Sequence, residues 1–366
     1  MIFDRQERRI INFDDASAPM PEHNRSGNVQ TLRNNITTNE RESEMQALRI
    51  HDYDEGIRLD TMPLLSPGPG EIRVRVQACG VSFVDLLVAG GGYQLRPPLP
   101  FVAGSEFAGV VDALGDGVGS RFAVGDRVSG SGAIGAWTQY ACVPPTGLTS
   151  VAASVPIEEA AVLNVPYATA LYGLRERGHL QRGETLLVLG ATGSVGHAAV
   201  QLGKLLGARV IAAVSGELKR TAALESGADE VVDAGDPEWK NQVKLLAAGG
   251  VDVVFDTVGG DMTDAAFRTL GWGGRHLMVG FAGGQIGALR SNLAIMKGAS
   301  LVGVDIRQFG AREPARASAL MEEVAALHGD ARIRPRVAAA LPLAQFAEAT
   351  ARVRDRNTIG RILLCP

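Results

Sequence analysis

Hydrophobic and polar positions divide the chain into three regimes. Residues 1–44 are polar, with only brief apolar pairs such as Ile10-Ile11 and no sustained period, which predicts a disordered extension. The character changes at Met45, where Met45-Gln46-Ala47-Leu48-Arg49-Ile50 predicts a first strand; Met45 is itself a candidate start codon, testable by N-terminal mass spectrometry of native protein. Residues 71–79 (EIRVRVQAC) alternate apolar and charged, as a half-buried strand does, after a Pro67-Gly68-Pro69-Gly70 turn. Short strands broken by Gly and Pro continue to about residue 150, so this half reads as a mainly β, barrel-like domain.

The period becomes helical near Ile157-Glu158-Glu159-Ala160-Ala161. Thr185-Leu186-Leu187-Val188-Leu189 is then a continuous apolar run, the pattern of a parallel strand buried on both faces. A glycine-rich turn follows, then a helix through Leu206, a strand at 209–214, a helix from about 217, and strands near 231, 252 and 276. This βαβαβ alternation predicts an α/β, doubly wound parallel sheet. One amphipathic helix around Ala315–Leu327 and a closing strand, Gly360–Leu364, complete the chain, the strand being expected to rejoin the first domain.

Composition supports a two-domain globular protein: 366 residues, 46% hydrophobic and 21% charged. Its 45 glycines, about an eighth of the chain, suit many strand-to-helix turns. A net charge of −4 without a Lys/Arg run lacks the footprint of a nucleic-acid binder, so no nucleic-acid partner is expected. No apolar run is long enough to span a bilayer, so no membrane partner is expected either. Cys79, Cys142 and Cys365 are odd in number and far apart, which argues against a disulfide framework and for a reducing compartment, the cytoplasm by default.

The segment Leu189-Gly190-Ala191-Thr192-Gly193-Ser194-Val195-Gly196-His197 sits between the buried strand and an amphipathic helix. Its A-x-G-x-x-G pattern fits a dinucleotide loop: Gly193 lets backbone approach a pyrophosphate, Gly196 lets helix pack on sheet, and the helix N-terminus offers free N–H groups. Alone, such a pattern is as often an ordinary turn. The next strand ends in Ser215-Gly216 rather than in the carboxylate that holds a ribose 2′-hydroxyl, and Lys219 and Arg220 follow. That favours a 2′-phosphate, hence NADPH; in the alternative, Lys219 is a solvated helix residue and Glu217 is the ribose ligand. Asp256-Thr257-Val258-Gly259-Gly260 and Val279-Gly280-Phe281-Ala282-Gly283 lie at strand ends of the same sheet, placing Val258, Gly280, Phe281 and Ala282 as candidates beside the ribose and nicotinamide, or merely as turn-closing residues.

These segments, with Gly80-Val81-Ser82-Phe83-Val84-Asp85, Tyr93, Pro97–Val111, Gly125-Asp126-Arg127-Val128 and Gly360-Arg361, resemble the zinc-independent NADPH:quinone oxidoreductases. These are the zeta-crystallin-like branch of the medium-chain dehydrogenase/reductases, and the resemblance runs from about Met45 to Pro366. It implies a GroES-like catalytic domain (residues 45–165 and 306–366) on a Rossmann domain (166–305), with NADPH in the cleft, and a homodimer formed through a strand near 299–306. The resemblance also implies site roles: Ala191, Thr192, Gly193, Ser194, Val195 and Gly196 on the cofactor phosphates, Ser215 and Lys219 on the 2′-phosphate, Thr169 and Tyr172 near the nicotinamide, Arg356 on the cofactor, and Ser82 and Tyr93 toward the substrate. Two departures stand out: relatives commonly carry Asn at the position of Ser82, and some carry Tyr at that of Ala234.

Zinc-dependent relatives need Cys where this chain has Ser82 and His before the Glu where it has Ser105-Glu106, and they carry a cysteine quartet that is missing here. A serine hydroxyl is a poor zinc ligand beside thiolate and imidazole, so neither zinc site is expected. The activity implied is hydride transfer from NADPH to a quinone by positioning alone. Reduction of an enone, 2-alkenal or enoyl thioester C=C bond, and a non-catalytic NADPH-binding role, remain open on the sequence.

Overall fold

The structure, a computed structural model, describes residues 43–355 and 357–366; the expected extension lies, but for its last two residues, outside the described residues. A small sheet joins β1 (Glu44–Ile50) to β2 (Ile57–Pro63) and β4 (Phe101–Val102). A larger one runs in the order β15 (Val337–Pro342), β16 (Arg361–Cys365), β3 (Ile72–Val81), β5 (Glu106–Leu114), β6 (Arg127–Ser131), β8 (Leu148–Ser150), with β7 (Tyr140–Val143) also paired to β3. The alternation read at 71–79 is the register of β3: Ile72, Val74 and Val76 turn into the core, while Arg73, Arg75 and Gln77 turn out. That core includes Trp137, whose indole N–H donates to the Gly80 carbonyl at 2.9 Å. Gly104 lies against its ring at φ +90°, where a methyl group would stand 2.2 Å from the indole, so only glycine serves there.

The second half is a six-stranded parallel sheet in the order β11 (Glu230–Asp233), β10 (Arg209–Val214), β9 (Thr185–Leu189), β12 (Val251–Asp256), β13 (Leu270–Met278), β14 (Ser300–Gly303). Numbered from β9 this is 3-2-1-4-5-6, the doubly wound order, whose switch point lies at β9. The continuous apolar run of β9 has the anticipated cause: Leu186 and Val188 enter one core, Leu187 and Leu189 the core on the opposite face. The helices Ile306–Arg312 and Pro314–Gly329 side with this half, because Phe309, Leu320, Val324 and Ile333 share the core of Leu186 and Val188. The chain therefore returns to the larger sheet at Val337, later than residue 306. Among the described residues no helix is long and apolar enough to cross a membrane.

Candidate functional site

The strand-to-helix turn after β9 is built for close approach. Gly190 takes φ +67°, and a methyl group on Gly196 would stand 2.2 Å from the Gly190 carbonyl oxygen, so the helix Ser194–Leu205 can start this near the strand only with glycine at 196. Ala191 is buried beneath the turn, Thr192, Ser194 and Val195 are half-buried, and Gly193 is exposed as N-cap. No side chain caps this N-terminus, so its first N–H groups and the positive end of its dipole remain available to an anion.

Thr192 and Ser194 open onto a narrow cavity, with room for little more than a water-sized group, whose lining also includes His197, Arg336 and Arg361. Burial holds the His197 imidazole below its usual range. Arg361 is 7% exposed and its Nε–H has no partner among the described residues, an unpaired buried donor on the rim of a phosphate-type turn. Sequence reasoning used Arg361 only as a family match. Its burial, the signal that marks it, comes from its pairing with Glu106, which no local pattern announces.

At the end of β10, Gly216 turns at φ +83° and the helix Glu217–Glu225 begins. Gly216, Glu217, Arg220 and Asp233 line an open cleft here, with Arg220 donating to the Val231 carbonyl at 2.9 Å. Ser215 is exposed beside them, while Lys219 is half-buried and its ammonium makes no hydrogen bond or ion pair among the described residues.

Two turns at the ends of β12 and β13 complete the rim. Val258 reaches the first turn, since a methyl group on Gly190 would meet its Cγ2 at 3.1 Å, and Phe281 lies against Gly259. The turns are tied together by Ala282 N–H donating to the Thr257 carbonyl (3.0 Å) and Gly283 N–H to that of Val258 (2.8 Å). Gly280 is half-buried and Ala282 exposed. The structure thus gathers Ala191–Gly196, Val258, Gly280, Phe281 and Ala282 at one end of the sheet.

In the β-rich half, Ser82 caps the helix Phe83–Ala89 in a reciprocal box: its Oγ accepts from Asp85 N–H at 3.1 Å, and its own N–H donates to Asp85 Oδ2 at 2.8 Å. Burial raises the Asp85 carboxyl, against hydrogen bonds from Ser82 and Ser105. Glu106 is buried too; burial pushes its carboxyl up to about 7, against the pull of Arg361, which donates to Oε1. These groups satisfy one another. Ser82 and Ser105 offer hydroxyls where zinc would need thiolate or imidazole, Glu106 is committed to Arg361, and among the described residues no three His, Cys, Asp or Glu side chains converge to hold a metal. Serine hydroxyls at these two positions are weak ligands for zinc.

Tyr93 is half-buried against the β-rich core, and its hydroxyl has no hydrogen-bond partner among the described residues. Thr169 is buried and donates its hydroxyl to the Val165 carbonyl (2.6 Å) within its own helix. Tyr172 begins a π-helical turn and stacks on Phe309, centroids 4.3 Å apart. Arg356 lies outside the described residues.

Residues 68–153 match the family Alcohol dehydrogenase GroES-like domain, and residues 194–325 match Zinc-binding dehydrogenase. Quinone oxidoreductase-like protein 2 of Mus musculus is 36% identical over 299 residues, spanning 81% of this chain and 85% of that protein. A mycobacterial protein solved in complex with NADPH is 30% identical, with a TM-score of 0.81 over 88% of this chain and all of the other (100%). The quinone oxidoreductase of Thermus thermophilus, whose NADPH complex is also known, is 27% identical with a TM-score of 0.78, covering 88% and 100% of the two chains. With the doubly wound order, the glycine turn and a relative this similar over this length, the chain belongs to the quinone oxidoreductase family of the medium-chain dehydrogenase/reductases.

Proposed function

We propose that this oxidoreductase reduces quinones with NADPH and without zinc, as a homodimer in the cytoplasm. The observation that carries the reading is the cavity between the uncapped turn Thr192–Ser194 and the buried, unpaired Nε–H of Arg361. Together they present N–H donors from both halves of the chain, the helix N-terminus and the Nε–H that Arg361 keeps free of Glu106, a match for a dinucleotide pyrophosphate. Ser215 and Lys219 serve the 2′-phosphate: the strand end supplies no carboxylate at 215, and Lys219 carries no competing ion pair among the described residues. Val258, Gly280, Phe281 and Ala282 form the wall at the nicotinamide end, and Thr169 and Tyr172 are assigned to the same end by the family resemblance. Relatives solved with NADPH support this choice of cofactor.

When bound, NADPH supplies the hydride. The chain orients the acceptor and excludes water. The Tyr93 hydroxyl, which has no hydrogen-bond partner among the described residues, is the donor to the acceptor oxygen; Ser82 Oγ accepts from Asp85 N–H and bonds the Asp85 carboxyl, so its O–H reaches an acceptor only by leaving that carboxyl. The test is stopped-flow oxidation of NADPH and of NADH with 1,4-benzoquinone and, separately, a small enone, corrected for uncatalysed reaction. Rapid NADPH consumption with the quinone supports the reading. Turnover with the enone alone makes the chain a C=C reductase, preference for NADH removes the phosphate argument, and binding without turnover points to a non-catalytic role.

A further inference from the structure

Asp256, at the end of β12, is fully buried, yet no step of the proposed reaction uses it. Its carboxylate is saturated. Oδ1 accepts from the N–H groups of Val258 and Gly259, each at 2.9 Å; Oδ2 accepts from Thr263 Oγ1 at 2.9 Å and lies 3.0 Å from Nε2 of the buried His276. Its own backbone carbonyl accepts from Val279 N–H (2.9 Å) and Gly280 N–H (3.2 Å), so one residue grips both turns of the rim. These bonds, His276 foremost among its partners, hold the carboxyl below its usual range despite burial. An acidic group buried at a sheet's ligand end is costly to keep there and offsets that cost only by fixing what it bonds.

What it fixes is the turn Thr257–Gly260. Gly259 and Gly260 take φ +73° and +60°, and the carboxylate bridges the two N–H groups that would otherwise be left unpaired beside them. The placed turn sets Val258 against Gly190 and gives Phe281 its seat on Gly259. We propose that Asp256 is the positioning residue for the nicotinamide end of the cleft: it locks Val258 and Phe281 as the wall against which the nicotinamide lies, while the adenosine end, on β10 and β11, is independent of it. This rests on the NADPH reading above. Asp256 touches neither acceptor nor reacting atoms and acts only through the turn.

The test compares Asp256→Asn and the milder Thr263→Val with the unaltered protein, by equilibrium binding of NADPH and of 2′,5′-ADP, which has no nicotinamide. Bound NADPH fluorescence supplies a second readout. Asp256→Asn keeps the Oδ1 acceptor but replaces Oδ2 with a donor facing Thr263 and His276. The expected result is 2′,5′-ADP affinity within about twofold of the unaltered protein, NADPH affinity at least tenfold weaker, or about 1.4 kcal/mol, and loss of the blue-shifted emission of held nicotinamide. Thr263→Val should move NADPH binding the same way by a smaller factor, and it decides the matter should Asp256→Asn not fold. Equal weakening of both ligands, or of neither, overturns the positioning role. Failure of the unaltered protein to bind NADPH while it binds NADH overturns the cofactor reading instead.

Discussion

Glu106 on β5 and Arg361 on β16, 255 positions apart, meet as a buried ion pair at the seam between the larger sheet and the segment that leads into the parallel one. Glu106 Oε2 also accepts from Val165 N–H at 3.3 Å, on the helix that opens that second half. Asp85 faces the same carboxyl and opposes its ionisation, and Glu106 in turn adds to the burial that pushes the Cys79 thiol up.

This arrangement has a pH signature. Burial pushes the folded Glu106 carboxyl up to about 7, whereas an unfolded glutamate titrates near 4.3. Between these values the native state holds the extra proton, so this group's contribution to stability is full below about pH 4.5 and is lost as pH rises through about 7. Glu106→Gln, which cannot ionise, should flatten that part of the stability profile and cost about 1 kcal/mol at neutral pH, the worth of the altered hydrogen bond to Arg361, since about half of the native carboxyls are already neutral there. Urea unfolding from pH 4.5 to 8 measures both. A variant with the slope of the unaltered protein would show that Glu106 is not its source.

The turn after β9 is the sharpest steric prediction. A methyl group on Gly196 meets backbone, 2.2 Å from the Gly190 oxygen and 2.8 Å from its carbon, and backbone cannot swing aside. Gly196→Ala should therefore destabilise the protein by about 1–3 kcal/mol and weaken NADPH at least tenfold as the helix N-terminus is pushed off the phosphates. At Gly193 the nearest contact is 3.3 Å, so Gly193→Ala should fold nearly as well as the unaltered chain. Thermal unfolding without ligand, paired with NADPH titration, separates the two; equal melting temperatures would sink the packing argument.

How legible all this was depended on distance along the chain. The β9 run, the glycine turn and the helix Pro314–Gly329 announce themselves because strand burial, turn conformation and helical period are properties of neighbouring residues. Strand β15 does not, since Val337-Ala338-Ala339-Ala340 offers alanine to both faces and no contrast to read. The side of the molecule joined by residues 306–329 was equally hidden, being set by which core Phe309 and Leu320 enter. Within the site, the glycine turn was visible, whereas Arg361 and Asp256 owe their standing to Glu106 and His276, partners brought close only by folding.

Ser82 and Tyr93 separate folding from catalysis. Ser82→Ala removes the acceptor for Asp85 N–H and should cost about 1 kcal/mol, the usual worth of such a cap. Tyr93→Phe keeps the ring packed on the β-rich core and should leave the melting temperature unchanged. If its hydroxyl donates to the acceptor, kcat/KM for quinones should fall about fivefold, the worth of one neutral hydrogen bond. Unchanged kinetics would remove Tyr93 from the site.

The edge of the parallel sheet bears on assembly. Among the described residues β14 pairs only with β13, so no strand covers its other edge, and Leu301 on it is 49% exposed. Nearby, Trp272 lies on Gly298, the cap of the helix carrying Ile295 and Met296, and these three side chains are 70–83% exposed. A bare strand beside large apolar side chains is the kind of surface a protein covers, and a second copy presenting the same edge across a twofold axis would pair the two strands and bury both patches. Sedimentation at micromolar concentration should therefore give a dimer. Leu301→Lys, which places a charge on the strand without touching the cofactor turn, should weaken it by about 2 kcal/mol, roughly thirtyfold. NADPH affinity should stay as it was, because the glycine turn and Arg361 lie within one chain. A monomer at every concentration, or a dimer indifferent to Leu301→Lys, would mean that this edge is not the one used.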